Sequence, residues 1–348
     1  YMGVNVGSFA APLICGFLGD TGNPQDFKWG FLASGIMTLF TVVLFETQKN
    51  KYLFSPSGEP IGIVPDARRE KKEDKAEHIS HPKMDKRTKV RNIIIITALT
   101  VALIAFFSYA FSDDWISVGI FTACIVFPVL ILLDGSLTKV ERSRIFVIYI
   151  VAFFVIFFWA AYEQAGASLT LFASEQTDRS IFGWEMPASW FQSFNPLFVV
   201  ILAYIMPGIW GFLNKRNMEP ASPTKQAIGL LLLSLGYLFI CFGVKDAIPG
   251  VKVSMIWLTG LYFIHKLSPL RFASLMMGIW YLSTATANKF AGMLSGLYPE
   301  DGKVKSILGY QIATMYDFFM LFVIMSGVAS LILFLLSKKL QKMMHGVE

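Results

Sequence analysis

The sequence predicts an all-α, polytopic membrane protein, and three observations support this fold class. Hydrophobic residues make up 55% of the 348 residues, charged residues only 16%, and the mean hydropathy is +0.56. A soluble domain carries about 25% charged residues, so this excess of apolar side chains calls for a lipid environment. The apolar residues also form runs close to the ~20 residues that cross a bilayer. These runs lack the alternation of a β-barrel, so helices are expected.

Nine of the apolar runs are long enough to be membrane-spanning helices. A tenth run, 251–265, is short of a full span by about a quarter. Proline inside several runs, as at Pro128 and Pro196, is tolerated in membrane helices. The nine predicted spans are 1–19, 28–46, 92–111, 115–133, 144–172, 190–213, 226–243, 271–297 and 316–337.

The basic residues indicate how the spans are oriented. If the 47–91 segment is cytoplasmic and the spans alternate, the inside segments hold 23 of the 30 Lys and Arg residues. This bias is that of the positive-inside rule, so we expect a multi-pass protein of the cell inner (plasma) membrane with a cytoplasmic C-terminus. The alternation requires 251–265 to cross although it is short, and we expect part of a helix to be missing there. The pI of about 9.1 therefore reflects topology and predicts no nucleic-acid partner.

Few residues carry chemistry that would suit an enzyme. Cys15, Cys124 and Cys241 lie singly in apolar runs without metal-ligand spacing, so neither a metal nor another cofactor is expected. The sequence contains no common hydrolase or metalloprotease motif. A phosphate-binding glycine-rich loop is also absent, which argues against transport driven by ATP.

Several long strings resemble one family of transporters. Residues 1–16, YMGVNVGSFAAPLICG, resemble the fifth transmembrane helix of the proton-dependent oligopeptide transporters of the major facilitator superfamily. Residues 158–172, FWAAYEQAGASLTLF, resemble the seventh helix, and 190–203 and 271–292 resemble the eighth and the eleventh. The resemblance covers essentially the whole chain. It implies two six-helix bundles around a central cavity, and uptake of di- and tripeptides coupled to inward proton flow.

The resemblance also implies how the chain is divided. Residues 1–46 would be the last two helices of the N-terminal bundle, and 47–91 a cytoplasmic linker whose expected contact is anionic lipid. Residues 92–133 would be two extra helices between the bundles, and 134–348 the C-terminal bundle with a shortened helix at 251–265. The family's first four helices, with their ExxER motif, and the tenth-helix glutamate have no counterpart. We therefore expect an incomplete form of such a transporter.

Four residues are candidates for the peptide cavity. Glu163 is the only acid deep within a predicted span, where a carboxylate is costly, so it is a candidate for peptide and proton binding. Asn195 matches the family's peptide-binding asparagine, and Gln192 lies one turn before it, where Pro196 frees a backbone carbonyl. Trp280 matches a tryptophan that walls a side-chain pocket. The alternatives are a structural role for Glu163, interhelical hydrogen bonding for the two amides, and ordinary packing for Trp280.

Three further residues are interpreted as structural. Tyr162 and Trp159 precede Glu163 and are expected to pack within the bundle. Lys289 lies within a span, and its long side chain is expected to extend toward the outer surface.

Two functions remain open from the sequence. The first is a peptide–proton symporter that works by alternating access within the lipid bilayer. The second is a non-transporting relative that acts as a scaffold or partner, since parts of the coupling machinery have no counterpart. An enzyme is not expected.

Overall fold

In a computed structural model the described residues of the chain are mostly helical. The structure describes residues 2–54, 85–111, 114–135, 137–245, 251–266, 277–300, 303–307 and 309–344. The α-helices of these residues are α1 (Met2–Gly19), α2 (Phe27–Tyr52), α3 (Lys86–Ala110), α4 (Trp115–Leu132), α5 (Lys139–Tyr162), α6 (Ser168–Glu175), α7 (Phe191–Lys215), α8 (Ser222–Val244), α9 (Met255–Lys266), α10 (Met277–Ser295) and α11 (Met315–Met343). Seven helical segments of the described part are long and apolar enough to span a membrane, so this is a multi-pass membrane protein.

Short strands lie only in connections between helices. They are β1 (Thr177–Asp178), β2 (Ser180–Ile181), β3 (Trp184–Glu185), β4 (Val253–Ser254), β5 (Lys305–Ile307) and β6 (Tyr310–Ile312). The strands β2 and β3 form a hairpin, as do β5 and β6, whereas β1 pairs in parallel with β4. The parallel pair joins the end of α6 to the start of α9, since Thr177 lies opposite Val253.

The predicted span 144–172 lies within one apolar helical segment, Lys139–Glu175, which carries an interruption that the sequence did not indicate. The helix α5 ends at Tyr162, a 3₁₀ turn covers Glu163–Gly166, and α6 starts at Ser168. Ala167 has φ −126° and ψ −102°, which are not helical angles. Gly166 favours such a break, because glycine is about 1 kcal/mol less favourable than alanine within a helix. Side-chain hydrogen bonds, described below, stabilise the turn.

Two boundaries of the polar linker also differ from the prediction. The helix α2 continues to Tyr52 and α3 begins at Lys86, so both enter the 47–91 segment, whose residues 55–84 lie outside the described part.

The short tenth run, 251–265, forms α9, a helix of 12 residues. At ~1.5 Å per residue this helix is about 18 Å long, which does not cover ~30 Å of hydrocarbon. Residues 267–276 lie outside the described part.

The best-packed part of the protein is the pair of helices α8 and α11, with α5 beside them. Tyr237 is fully buried, and its ring stacks on Phe322 at 4.8 Å and lies 6.2 Å from Phe319. The Ser234 hydroxyl donates to the Val323 carbonyl at 2.9 Å. Small and aromatic residues thus alternate along this interface, as is usual for helices that pack in lipid.

The helix α1 packs against α2 and α7. At Gly16 an added Cβ would lie 2.3 Å from Ser189 Oγ and 3.0 Å from the Trp190 side chain, so a larger residue would push these side chains away from α1. The Ser193 hydroxyl donates to the Phe9 carbonyl at 2.9 Å. These contacts hold the first turns of α7, which carry Asn195, directly against α1.

The helices α3 and α4 form an antiparallel pair that docks on α10 and α5. The Asn92 amide donates to the Leu133 carbonyl at 2.7 Å and ties α3 to the end of α4. Lys289 of α10, expected to extend toward the outer surface, forms an ion pair of 2.6 Å with Asp114, which caps α4. The pair is therefore fixed at both ends of α4.

Candidate functional site at the α5–α6 break

The candidate site is built around the break that follows α5. A break within lipid leaves backbone carbonyl groups that must find other donors. The hydroxyl of the buried Tyr237 donates to the Ala161 carbonyl at 2.7 Å, and the Thr170 hydroxyl donates to the Ala165 carbonyl at 2.7 Å. Glu163 is the first residue of the turn and is partly buried. Glu163 thus lies on irregular backbone, and the neighbouring carbonyl groups of Ala161 and Ala165 each accept a hydrogen bond.

One side of the turn remains open. A Cβ added at Gly166 would meet no heavy atom within 4 Å. Ala160 and Ala161, which precede Glu163, have no exposed surface. The room next to the acid therefore lies on the Gly166 side of the turn, and the other side is packed.

Gln164, next to the acid, forms a complete set of hydrogen bonds. Its side chain has no exposed surface. Its nitrogen donates to the carbonyl groups of Ala160 at 3.1 Å and Ala291 at 3.0 Å. Its oxygen accepts from the hydroxyls of Ser168 at 2.5 Å and Ser295 at 2.8 Å. This amide locks the turn to α10, and sequence reasoning missed it because the partners are far apart in the chain.

Asn195 faces the same break from α7, but its amide is only half satisfied. The nitrogen donates to the Tyr162 hydroxyl. The oxygen is buried and has no hydrogen-bond partner among the described residues. Tyr162 also packs on Phe158 and Trp159, with ring centroids 5.8 and 5.1 Å apart. The expected packing role of Tyr162 is thus present, and the bond to Asn195 is an addition that the sequence did not indicate.

A second bond joins α7 to the segment after the break. The Gln192 nitrogen donates to the Thr170 hydroxyl at 3.1 Å. From α9, the Tyr262 hydroxyl is also buried without a hydrogen-bond partner among the described residues. Tyr262 belongs to α9, which packs against α6 and α7. Polar groups of α5, α6, α7 and α9 therefore lie near the break that follows α5.

The roles of all four candidates stay predictions, and Trp280 is the one whose side chain the structure does not describe. Its backbone belongs to α10, and its side chain lies outside the described part of the protein. Ala291, where α10 meets Gln164, lies eleven residues further on, roughly 16 Å along the helix axis at ~1.5 Å per residue.

The described residues hold no group of three or more His, Cys, Asp or Glu side chains that could bind a metal ion. The polar groups of the site are amides, hydroxyls and a single carboxylate. Such a set can bind and orient a polar organic ligand and can exchange a proton.

A bundle of long apolar helices with an interrupted helix and a carboxylate at the interruption defines a class of protein. Irregular backbone at membrane depth is typical of secondary transporters, where it lines the substrate site. The fold is that of the major facilitator superfamily. The family model for the POT family matches residues 1–311, and the chain belongs to this family, as the sequence resemblance predicted.

Several relatives carry the names of peptide transporters. The chain is 28% identical over 322 residues to the peptide transporter YePEPT of Yersinia enterocolitica, which covers 85% of the chain and 60% of that protein. It is 25% identical to dipeptide and tripeptide permease A of Escherichia coli, over 85% of the chain and 57% of the permease. It is 26% identical to a di-/tripeptide transporter of Lactococcus lactis, over all of the chain and 68% of the relative.

Solved structures agree in fold. A crystal structure of a POT peptide transporter in complex with alafosfalin superposes with a TM-score of 0.69 at 25% identity, over 99% of this chain and 67% of that one. The chain spans between 57% and 68% of the length of these relatives.

Proposed function

We propose that the protein is a proton-coupled symporter that imports di- and tripeptides by alternating access. Its membership of the POT family and the names of its relatives support this proposal. The observation that carries it is the amide of Asn195, whose nitrogen is engaged while its buried oxygen has no partner among the described residues. A buried unpaired oxygen costs about 1–3 kcal/mol, so a site that keeps one is suited to a ligand that donates a hydrogen bond.

Peptides supply such donors through their backbone N–H groups and their terminal ammonium group. The bond from Asn195 to Tyr162 fixes which end of the amide faces the ligand, because the nitrogen is already engaged. In this proposal Asn195 accepts from the peptide, and Tyr162 positions Asn195 without touching the substrate. Gln192 binds from the same face of α7, and Trp280 of α10 walls the cavity.

Glu163 is the proton carrier in this proposal. A carboxylate at membrane depth is costly, and protonation removes its charge. A ligand or proton that binds one conformation better than the other shifts the balance between them. Because Glu163 begins the 3₁₀ turn between two helices, a change in its charge acts on the joint between α5 and α6. Peptide binding nearby would then be linked to proton binding.

The organisation inferred from the sequence fits this mechanism. We infer that residues 1–46 belong to one bundle and 134–348 to the other, with 92–133 between them and the 47–91 linker and C-terminus in the cytoplasm. The contact of α1 with α7 supports a site between the bundles, because it joins the first turns of α7, which carry Asn195, to a helix of the first bundle.

The proposal is tested by uptake of a radiolabelled dipeptide into a bacterium that lacks other peptide transporters, with the protein expressed from its own gene. Wild-type uptake should depend on an inward proton gradient and stop with a protonophore. Glu163→Gln should lower uptake at least ~10-fold, or about 1.4 kcal/mol, at unchanged abundance in the membrane. Glu175→Gln is the matched control, since Glu175 is an exposed acid at the end of α6.

Two outcomes would contradict the proposal. Wild-type protein that is abundant in the membrane but takes up no dipeptide would favour the scaffold alternative. Normal uptake per molecule by Glu163→Gln at several pH values would leave peptide transport in place and remove Glu163 from it.

A further inference from the structure

We propose that a crevice between α4, α5 and α10 binds one anionic phospholipid, with an acyl chain in the crevice and the phosphate at Arg142. The crevice has a volume of about 680 Å³ and apolar walls. It is separate from the α5–α6 break, and this proposal does not rest on peptide transport. Its lining includes Phe127 and Pro128 of α4, Tyr149 and Ile156 of α5, and Leu282 of α10.

The crevice is built into the fold rather than left by loose packing. The helix α4 is held at its start by the ion pair of Asp114 with Lys289, and at its end by the bond between Asn92 and Leu133. Between these points Pro128 provides no N–H group, so α4 lacks one helical hydrogen bond there. The crevice lies between the second half of α4 and the middle of α5, and contacts at both ends of α4 hold that helix in place.

The crevice opens toward the lipid. Phe127 and Phe153 stand at its edges and are 52% and 55% exposed. Ile125 is also exposed, at 40%, whereas Ala152 lies deeper and is only 8% exposed. A concave apolar slot of this size beside a bilayer is suited to a single chain, and its volume lies within the 300–1,000 Å³ typical of small-molecule sites.

A positive charge lies on the same stripe of α5 as the crevice. Arg142, Tyr149 and Ile156 follow one another at intervals of seven residues and therefore share one face of the helix. Along the axis, Tyr149 is about 10 Å and Ile156 about 21 Å from Arg142 at ~1.5 Å per residue. One leaflet provides about 15 Å of hydrocarbon, so a lipid whose phosphate is at Arg142 would place its chain in the crevice.

Two observations favour an anionic phospholipid over another occupant. Arg142 is exposed and donates to the Asp134 carbonyl at 3.2 Å, a neutral acceptor, and Lys139 lies one turn before it with its side chain exposed. Basic residues at the ends of membrane helices attract anionic headgroups. The buried Tyr149 hydroxyl has no hydrogen-bond partner among the described residues, and it could donate to an ester oxygen near the headgroup.

Native mass spectrometry of the purified 348-residue chain tests this site. We add phosphatidylglycerol or phosphatidylcholine with identical acyl chains. Wild-type protein should retain phosphatidylglycerol about fivefold better, which corresponds to about 1 kcal/mol for one basic residue at an anionic headgroup. Arg142→Gln should abolish this preference, whereas Lys215→Gln should keep it, since Lys215 is an exposed cation at the end of α7, remote from the crevice.

Protection of Cys124 gives a second readout that needs no variant, because this cysteine lines the crevice. Phosphatidylglycerol should slow the reaction of Cys124 with N-ethylmaleimide, located by peptide mass spectrometry, while inorganic phosphate alone should not. Equal retention of the two lipids, or equal reactivity of Cys124 with and without them, would overturn the proposal. Protection of Cys124 that rises with protein concentration in the absence of lipid would instead show that a second copy covers the crevice.

Discussion

Gln164 and Asn195 are two side-chain amides that meet the same break in the chain, from opposite sides. Gln164 bonds to α10 and to its own segment through both its nitrogen and its oxygen. Asn195 bonds to Tyr162 through its nitrogen, and its buried oxygen has no partner among the described residues. The two amides are chemically alike, so the difference lies in what surrounds them.

This difference separates a structural amide from a binding amide. In lipid, a buried polar group that is fully paired fixes helices to one another, whereas a half-paired group has capacity to spare. The side of the break that faces α10 is therefore fully bonded, and the side that faces α7 and α9 keeps two buried oxygens without a partner among the described residues, those of Asn195 and Tyr262. The following predictions test this distinction, from the largest expected effect to the smallest.

Gln164→Leu should have the largest effect, and it should be on stability. The change leaves the Ala291 carbonyl and the hydroxyls of Ser168 and Ser295 without their partner, at a cost of about 2 kcal/mol or more. The apparent melting temperature of the detergent-solubilised protein should fall clearly. Gln341→Leu is the control, because Gln341 is exposed near the end of α11. Equal melting of the two variants would show that the Gln164 bonds do not hold the break.

Asn195→Leu should show the opposite pattern. It removes one hydrogen bond and one unpaired oxygen, so apparent stability should change by no more than about 1 kcal/mol. Peptide binding should weaken at least ~10-fold, or about 1.4 kcal/mol, because the acceptor is gone. Concentration-dependent dipeptide uptake measures this, with Asn214→Leu at the exposed end of α7 as the control. An Asn195→Leu variant that melts clearly earlier than wild type but takes up dipeptide with unchanged concentration dependence would reverse the roles of the two amides.

Tyr162→Phe should have a smaller effect that reveals positioning. The ring remains and only the hydroxyl that holds Asn195 is lost, so the amide can rotate. Loss of a membrane hydrogen bond worth ~0.6 kcal/mol should raise KM about threefold and leave the maximal rate nearly unchanged. Tyr204→Phe is the control, since Tyr204 is 75% exposed on α7. An unchanged KM would mean that Tyr162 only packs.

The long helices and the two most informative site residues could be predicted from the sequence, for a physical reason. Lipid requires long apolar runs, so hydropathy alone reveals the spans, and a charge or amide inside such a run is conspicuous. Glu163 is conspicuous in this way, Asn195 is indicated by its place before Pro196 and by the family resemblance, and the structure places both at one break.

The remaining features depend on contacts between distant parts of the chain. The break after Tyr162 depends on Gln164 bonding to Ala291 and Ser295, more than a hundred residues away. A glycine in an apolar run is common in membrane helices and does not by itself predict a break. Thr170 and Tyr262 give no signal in the sequence, because a hydroxyl in a span usually bonds to its own helix.

The smallest expected effect concerns the ion pair of Asp114 with Lys289, a partly exposed polar contact. The hydrogen bond from Lys289, together with those from the Ser117 backbone and hydroxyl, lowers the pKa of Asp114 below its usual range. A carboxylate with a lowered pKa stabilises the fold above its unfolded pKa of about 3.9, and this contribution is lost only as the pH falls through the lower folded-state value.

The difference in melting temperature between wild type and Asp114→Asn should therefore be small and constant from about pH 5 to 8, and should shrink below about pH 4. Salt should reduce it as well, since the partners are exposed. Asp85→Asn is the matched control, because Asp85 precedes α3 and its side chain makes no capping hydrogen bond. A difference that disappears between pH 5 and 7 would mean that Lys289 does not hold Asp114 in its charged form.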